Sequence, residues 1–219
     1  MPPTWVLFDL NGTVLDTGSV AGPLGGDREL VDGAFQEALL HTMADTLSGA
    51  PYRPLPDYLR AALERRLLAT GRTTDGLDAA MDRAAAMDPF PEAEEALTML
   101  RDGGVSTGTL TNSGTRAAES ALEHAGLREL MDVVIGSDIV GVFKPHPRIY
   151  GAAVDRLRVA PSDICLVAAH SWDVAGAMRA GLRAAWLWRN ESRLLSTAPE
   201  PEIRARDLAD AARQILTAK

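Results

Sequence analysis

Cysteine, aromatic side chains and positive charge are all scarce in this chain. It has one cysteine in 219 residues, 5% aromatic side chains, and 22 basic against 30 acidic groups, a formal net charge of −8. A lone cysteine makes no internal disulfide and no cysteine-based metal site. Cys165 lies inside the apolar stretch Ile164-Cys165-Leu166-Val167 and reads as a buried small hydrophobe. The acidic balance argues against nucleic acid and anionic membrane as partners, since both repel a surface of that sign. Apolar runs are short: none approaches the roughly 18 residues of a membrane span, and no basic start, apolar centre and small-residue cleavage site marks a leader. A cytoplasmic location is therefore expected. The sequence contains no repeat and no low-complexity tract. Apolar residues, by contrast, are plentiful at 46%, sufficient for one core with an insertion or for two small ones.

From residue 89 onward, helix and strand signals alternate as they do in βαβ units. A helix is expected over Pro91–Arg101, closed by Gly103-Gly104, then a strand over Val105–Leu110 that ends at Thr111-Asn112. The cycle repeats with a helix over Thr115–Ala125 stopped by Gly126, a strand at Val133–Ile135, and a helix over Pro147–Leu157 opened by its proline. A strand at Ile164–Val167, a helix over Trp172–Ala180, a strand at Ala184–Trp188 and a terminal helix over Ile203–Leu216 complete the series. Single helices between strands require a parallel sheet with right-handed crossovers, so the fold class is α/β with a doubly wound parallel sheet. Between Asp16 and Asp88 the period is helical only. Phe35, Leu39, Met43 and Leu47 recur every fourth residue, as do Tyr58, Ala62 and Arg66 beside Leu59 and Leu63, while Leu77, Ala80, Met81 and Ala84 follow the 3-4 spacing. We expect an inserted all-helical cap at 17–88 and a core domain made of 1–16 and 89–219. Gly18 to Asp27 is a glycine-rich lead-in, and Asp88-Pro89-Phe90-Pro91 a stiff exit.

The run Val6-Leu7-Phe8-Asp9-Leu10-Asn11-Gly12-Thr13-Val14-Leu15-Asp16 reads as a buried strand that stops at a carboxylate, followed by a Gly-Thr turn. In open α/β sheets the ligand crevice lies outside such strand ends, and a carboxylate displayed there is available as a nucleophile. Leu110-Thr111-Asn112-Ser113 follows, then Phe143-Lys144-Pro145-His146-Pro147-Arg148-Ile149-Tyr150, then Val167-Ala168-Ala169-His170-Ser171-Trp172-Asp173-Val174-Ala175-Gly176-Ala177. In this order the four segments resemble the four motifs of the haloacid dehalogenase superfamily. The resemblance runs from about Trp5 to about Trp188 and is weaker between 17 and 88. It implies a hydrolase with Asp9 as nucleophile and a cap over the strand ends that excludes water and shapes the pocket. Lys144 would lower the pKa of Asp9 and keep it ionised. Thr111 and Asn112 offer a hydroxyl and an amide to an anion or oxyanion, and Asp173 would hold Lys144 or a metal.

Two departures bear on the chemistry. Phosphatases of this superfamily carry a second acid two residues after the nucleophile and an acid pair for magnesium in the fourth motif. Here those positions hold Asn11 and Ala169. An amide cannot replace a general acid, whose loss costs about 10²–10⁴-fold, and a magnesium site of Asp9, Asn11 and Asp173 alone would be weak. The Lys144 to Tyr150 and Trp172 to Ala177 segments are similar instead to the metal-independent L-2-haloacid dehalogenases. That resemblance implies displacement of halide by Asp9, an aspartyl ester, hydrolysis by water, no cofactor, a small-molecule substrate and a possible homodimer. Lys144, Tyr150, Thr111, Asn112 and Asp173 would orient the nucleophile, ester and water. Leu10, Asn11, Phe35, Tyr150, His170 and Trp172 are the expected substrate contacts. His170 stands where that branch usually has asparagine and could assist hydrolysis near neutral pH. Phe35 aligns where the branch has an arginine for the substrate carboxylate, and a lost charge-assisted bond costs roughly 1.5–3 kcal/mol. Arg28 and Arg53 are further cap cations. A magnesium-dependent phosphatase and a non-catalytic, repurposed member stand as the alternatives.

Overall fold

The computed structural model describes residues 2–189 and 191–217. Its sheet has six parallel strands: β1 (Trp5–Phe8), β2 (Ser106–Thr111), β3 (Val133–Gly136), β4 (Ile164–Ala168), β5 (Arg183–Leu187) and β6 (Ile203–Ala205), in the order β3-β2-β1-β4-β5-β6. The chain builds outward from β1 to β2 and β3, then crosses to lay β4 against the opposite side of β1. That reversal of strand order opens a crevice at the carboxyl ends of β1 and β4, where α/β sheets bind ligands.

Alternation along β1 feeds two cores. Val6 and Phe8 join a cluster with Leu97 and Leu100 of α4 (Ala93–Asp102), Leu122 of α5 (Thr115–His124) and Ile215 of α8 (Leu208–Thr217). Leu7 joins Ile149 and Ala153 of α6 (Pro147–Leu157) and Val174 and Ala177 of α7 (Ser171–Arg179). Successive strand side chains point to opposite faces, so a continuous apolar run such as Val6-Leu7-Phe8 is what a strand covered on both sides needs.

Most element boundaries fall within two residues of those expected. The terminal helix is the exception. Residues 203–205 form β6, paired parallel with β5, and the helix begins only at Leu208. Ile203 and Ala205 are buried while Arg204 is exposed, which is strand alternation. Over three residues that pattern cannot be told from the start of an amphipathic helix, and the pairing edge offered by β5 decides it.

Inserted between β1 and β2 is a helical cap comprising α1 (Arg28–Ser48), α2 (Leu55–Ala69) and α3 (Leu77–Ala85), preceded by a 3-10 segment at Thr17–Leu24. Asp27 caps α1 by accepting from the Leu30 amide at 3.0 Å, and Gly49 ends it in the left-handed region. The chain crosses to and from the cap through two adjacent segments: the Asp16 amide donates to the Asp88 carbonyl at 2.8 Å and the Phe90 amide to the Val14 carbonyl at 2.9 Å. The apolar seam of α1 departs from expectation. Leu30, Val31, Ala34, Ala38 and Thr42 are buried in its packing, whereas Phe35, buried as well, lines the cavity beneath the cap with the partly buried Leu39 and Met43, and Leu47 is 90% exposed. Small residues let α1 sit close on its neighbours, which frees the larger side chains to form a wall. Among the described residues no helix is long and apolar enough to cross a membrane.

Candidate active site

Asp9 is the first residue past β1, its backbone still held in the ladder by a 3.0 Å bond from its amide to the Val167 carbonyl. Its carboxylate is 7% exposed and fully engaged. Oδ1 accepts from Lys144 Nζ at 2.9 Å, and Oδ2 accepts from Thr13 Oγ1 at 2.9 Å and lies 3.0 Å from His170 Nδ1. Burial alone would raise the Asp9 pKa; the Lys144 ammonium and the hydrogen bond to His170 outweigh it and hold the carboxyl well below the usual carboxylate range. Thr13 had no assigned role in the sequence. Its hydroxyl donates to Asp9 and accepts from the Ala169 amide at 3.0 Å, so it ties the first motif to the fourth. The turn that delivers it needs Gly12 at φ +79°.

Lys144 is entirely buried and reaches the site from the loop after β3. Besides Asp9 it donates to Asp173 Oδ2 at 2.5 Å and to the Leu110 carbonyl at 2.7 Å. Burial would lower its pKa, but Asp173 and Asp9 together raise it, so the ammonium stays charged. Asp173 comes from the first turn of α7, and its Oδ1 accepts from the Tyr150 hydroxyl at 2.6 Å. Burial and the adjacent carboxylate keep that phenol protonated. Close packing makes the contact possible: a Cβ on Gly176 would collide with the Tyr150 hydroxyl. The loop is fixed from above as well. Phe143 stacks on Tyr52 at 5.1 Å, meets Tyr58 edge-on at 6.0 Å, and donates its amide to Thr46 Oγ1 at 3.2 Å.

A cavity of about 470 Å³ opens over Asp9. Of the residues expected from sequence, Asp9, Asn11, Phe35, Thr111, Asn112, His170 and Trp172 line it. Lys144, Asp173 and Tyr150 do not; they form a buried layer beneath the carboxylate. Tyr150 is thus corrected from a substrate contact to a partner of Asp173. Leu10 is corrected too. It is 0% exposed in the core, and its carbonyl receives the turn amides of Thr13, Val14 and Leu15. Asp32, Gln36, Leu40 and Leu55 of the cap, and Glu191, also line it, in ways the motifs did not signal. The Arg28 guanidinium turns away to Asp16 at 2.9 Å, and Arg53 does not line the cavity.

Asn112 carries an open donor. Its Oδ1 accepts from the Lys144 amide at 2.8 Å, and its Nδ2, buried at the cavity wall, has no partner among the described residues. An unpaired buried amide costs about 1–3 kcal/mol and is expected to be filled by a ligand or water. His170 has a raised pKa: burial would lower it, but the bond to Asp9 and the surrounding carboxylates prevail.

The residues do not fit a magnesium ion. Both Asp173 oxygens are occupied by Lys144 and Tyr150, Asn11 donates its amide to Ser113 Oγ at 3.4 Å, and position 169 is an alanine. No group of three potential carboxylate, histidine or cysteine ligands occurs among the described residues. Magnesium requires close octahedral oxygen donors, including at least one free carboxylate besides the phosphate.

An ionised carboxylate at the switch point of a parallel sheet, under a helical cap, places the chain among capped α/β hydrolases. The family model for haloacid dehalogenase-like hydrolases matches residues 3–181, and the chain belongs to that family. It is 31% identical over 202 residues to (S)-2-haloacid dehalogenase 1 of Pseudomonas sp. (strain CBS-3), covering 89% of this chain and 88% of that one. The solved L-2-haloacid dehalogenase RSc1362 superposes with a TM-score of 0.91 at 26% identity, covering 98% of this chain and 99% of that one. A shorter match, 36% over 134 residues and 60% of each chain, is to Phosphatase MT3486 of Mycobacterium tuberculosis (strain CDC 1551 / Oshkosh).

Proposed function

We propose that this hydrolase cleaves carbon–halogen bonds through an ester on Asp9. An Asp9 oxygen attacks the carbon that bears the halogen; the new C–O bond forms as the C–X bond breaks, and halide leaves with the electron pair. Water then attacks the ester carbonyl, releasing the alcohol and the Asp9 carboxylate with one proton. Lys144 and Thr13 hold Asp9 ionised and aimed, and the open Asn112 amide receives charge on the departing halide. His170 takes the proton of the attacking water, because it stands 3.0 Å from Asp9 whereas both Asp173 oxygens are already bonded. The cap at 17–88 closes the cavity so that water enters in the second step.

One observation carries this reading: the bridging of Asp9 and Asp173 by Lys144 Nζ, at 2.9 and 2.5 Å, which leaves an anionic nucleophile and no carboxylate for a metal. Single turnover in oxygen-18 water tests it. We expect label in the Asp9 peptide before product; label confined to the product overturns the ester route. The match to a phosphatase favours a second reading, in which p-nitrophenyl phosphate turnover rises with magnesium. Leu47, 90% exposed on α1 and outside the cavity lining, supports a homodimer. The buried free thiol of Cys165 accords with a cytoplasmic setting.

A further inference from the structure

Two hydrogen bonds hold Asn112 from the segment 137–144 that follows β3. Ser137 Oγ, entirely buried, donates to the Asn112 carbonyl at 2.8 Å, and the Lys144 amide donates to Asn112 Oδ1 at 2.8 Å. Held this way, Asn112 lines the cavity with its Nδ2 unpartnered among the described residues. A carbonyl only accepts, so the single hydroxyl proton of Ser137 is committed to Asn112. The Tyr52 hydroxyl, 3.0 Å from Ser137 Oγ, is therefore the donor of the next bond. The result is a chain with one direction, from Tyr52 to Ser137 to the Asn112 carbonyl, in which each bond polarises the next.

Tyr52 belongs to the cap, in the connection between α1 and α2. Its ring stacks on Phe143 at 5.1 Å while its hydroxyl meets Ser137, so one cap side chain grips both ends of the segment that holds Asn112. We propose that Tyr52 and Ser137 are positioning residues through which the cap sets the Asn112 amide for the departing halide. This rests on the Asp9 ester reading and on the role that reading gives Asn112. Neither residue lines the cavity; both act through Asn112.

A hydroxyl that only stabilised the fold would slow every substrate alike. A misaimed donor has a different signature. Chloride carries its charge more compactly than bromide and gains more from a hydrogen bond, so a displaced Asn112 amide slows chloride departure more. The test measures the single-turnover rate of ester formation on Asp9, from the mass of the quenched Asp9 peptide, with 2-chloropropionate and 2-bromopropionate at a temperature where each variant is folded. We expect the bromide-to-chloride rate ratio to rise about 10-fold in Ser137→Ala and about 3-fold in Tyr52→Phe, which keeps the aromatic stack, and neither change to move the ratio in an Asn112→Ala background. A wild-type ratio in both variants, or a shift that persists without the Asn112 amide, would overturn the relay and leave the ester reading standing. A shift in Ser137→Ala alone would overturn the part given to the cap. No mass gain on Asp9 in the wild-type protein with either acid would overturn the ester reading, and the relay with it.

Discussion

At the scale of single residues, the site is a balance of charges in which His170, its pKa raised by the bond to Asp9 and the nearby carboxylates, is the basic group that lines the cavity. Asp9, held below the ordinary carboxylate range, stays ionised from about pH 4 upward and contributes no limb to a profile above that. The His170 pKa is raised above its ordinary 6.5, so protonated His170 stabilises the fold fully below about pH 6.5, and that contribution is lost as pH rises through the raised value. Activity takes the opposite course, because only the neutral imidazole accepts a proton from water. We expect kcat to rise with pH through a value above 6.5 and the limb to vanish in His170→Asn, read from pH–rate profiles of both proteins. A limb that persists in the variant would remove His170 from the hydrolytic step. Asp9, Asn11 and Lys144 were legible as motif residues because their chemistry is unusual where they stand. Thr13 was not, since a threonine after a turn glycine reads as ordinary turn chemistry until the fold brings Ala169 to its hydroxyl.

At the scale of elements, the cap and the lysine loop act on each other. Phe143, the residue before Lys144, is 2% exposed between Tyr52 and Tyr58. Phe143→Ala should cost about 3–5 kcal/mol of stability and lower kcat as Lys144 loses its fixed approach to Asp9, measured by thermal melting and by kinetics at a temperature where the variant is folded. An unchanged kcat would show that the clamp only stabilises. The helices of the cap were visible from their period, but the work of one stripe was not. Phe35, Leu39 and Met43 form a perfect fourfold repeat and would ordinarily be a packing seam. The fold uses a stripe of smaller residues for packing and turns the larger one onto the cavity. Helical period reports that a face is apolar, and it is silent on whether protein or ligand covers that face.

At the scale of the whole molecule, six strands and their helices converge on one crevice, and the charge of that crevice is settled without a metal ion. Removing divalent metal should therefore change neither the melting temperature nor turnover; a fall with EDTA that magnesium restores would reverse this and revive phosphoryl transfer. The alternation of strand and helix signals, together with the steric demand for right-handed crossovers, determined the α/β class and the inserted cap from sequence, because both follow from local period and chain connectivity. Four motifs supplied the candidates for the side chains that carry the chemistry. Only the tertiary structure decided that residues 203–205 extend the sheet, since a three-residue strand exists by virtue of the edge it meets. The direction of each charged group was likewise left to the fold: whether a cap arginine reaches the cavity depends on packing distances across segments remote in sequence, and here nearer carboxylates claim Arg28, Arg65, Arg66 and Arg72.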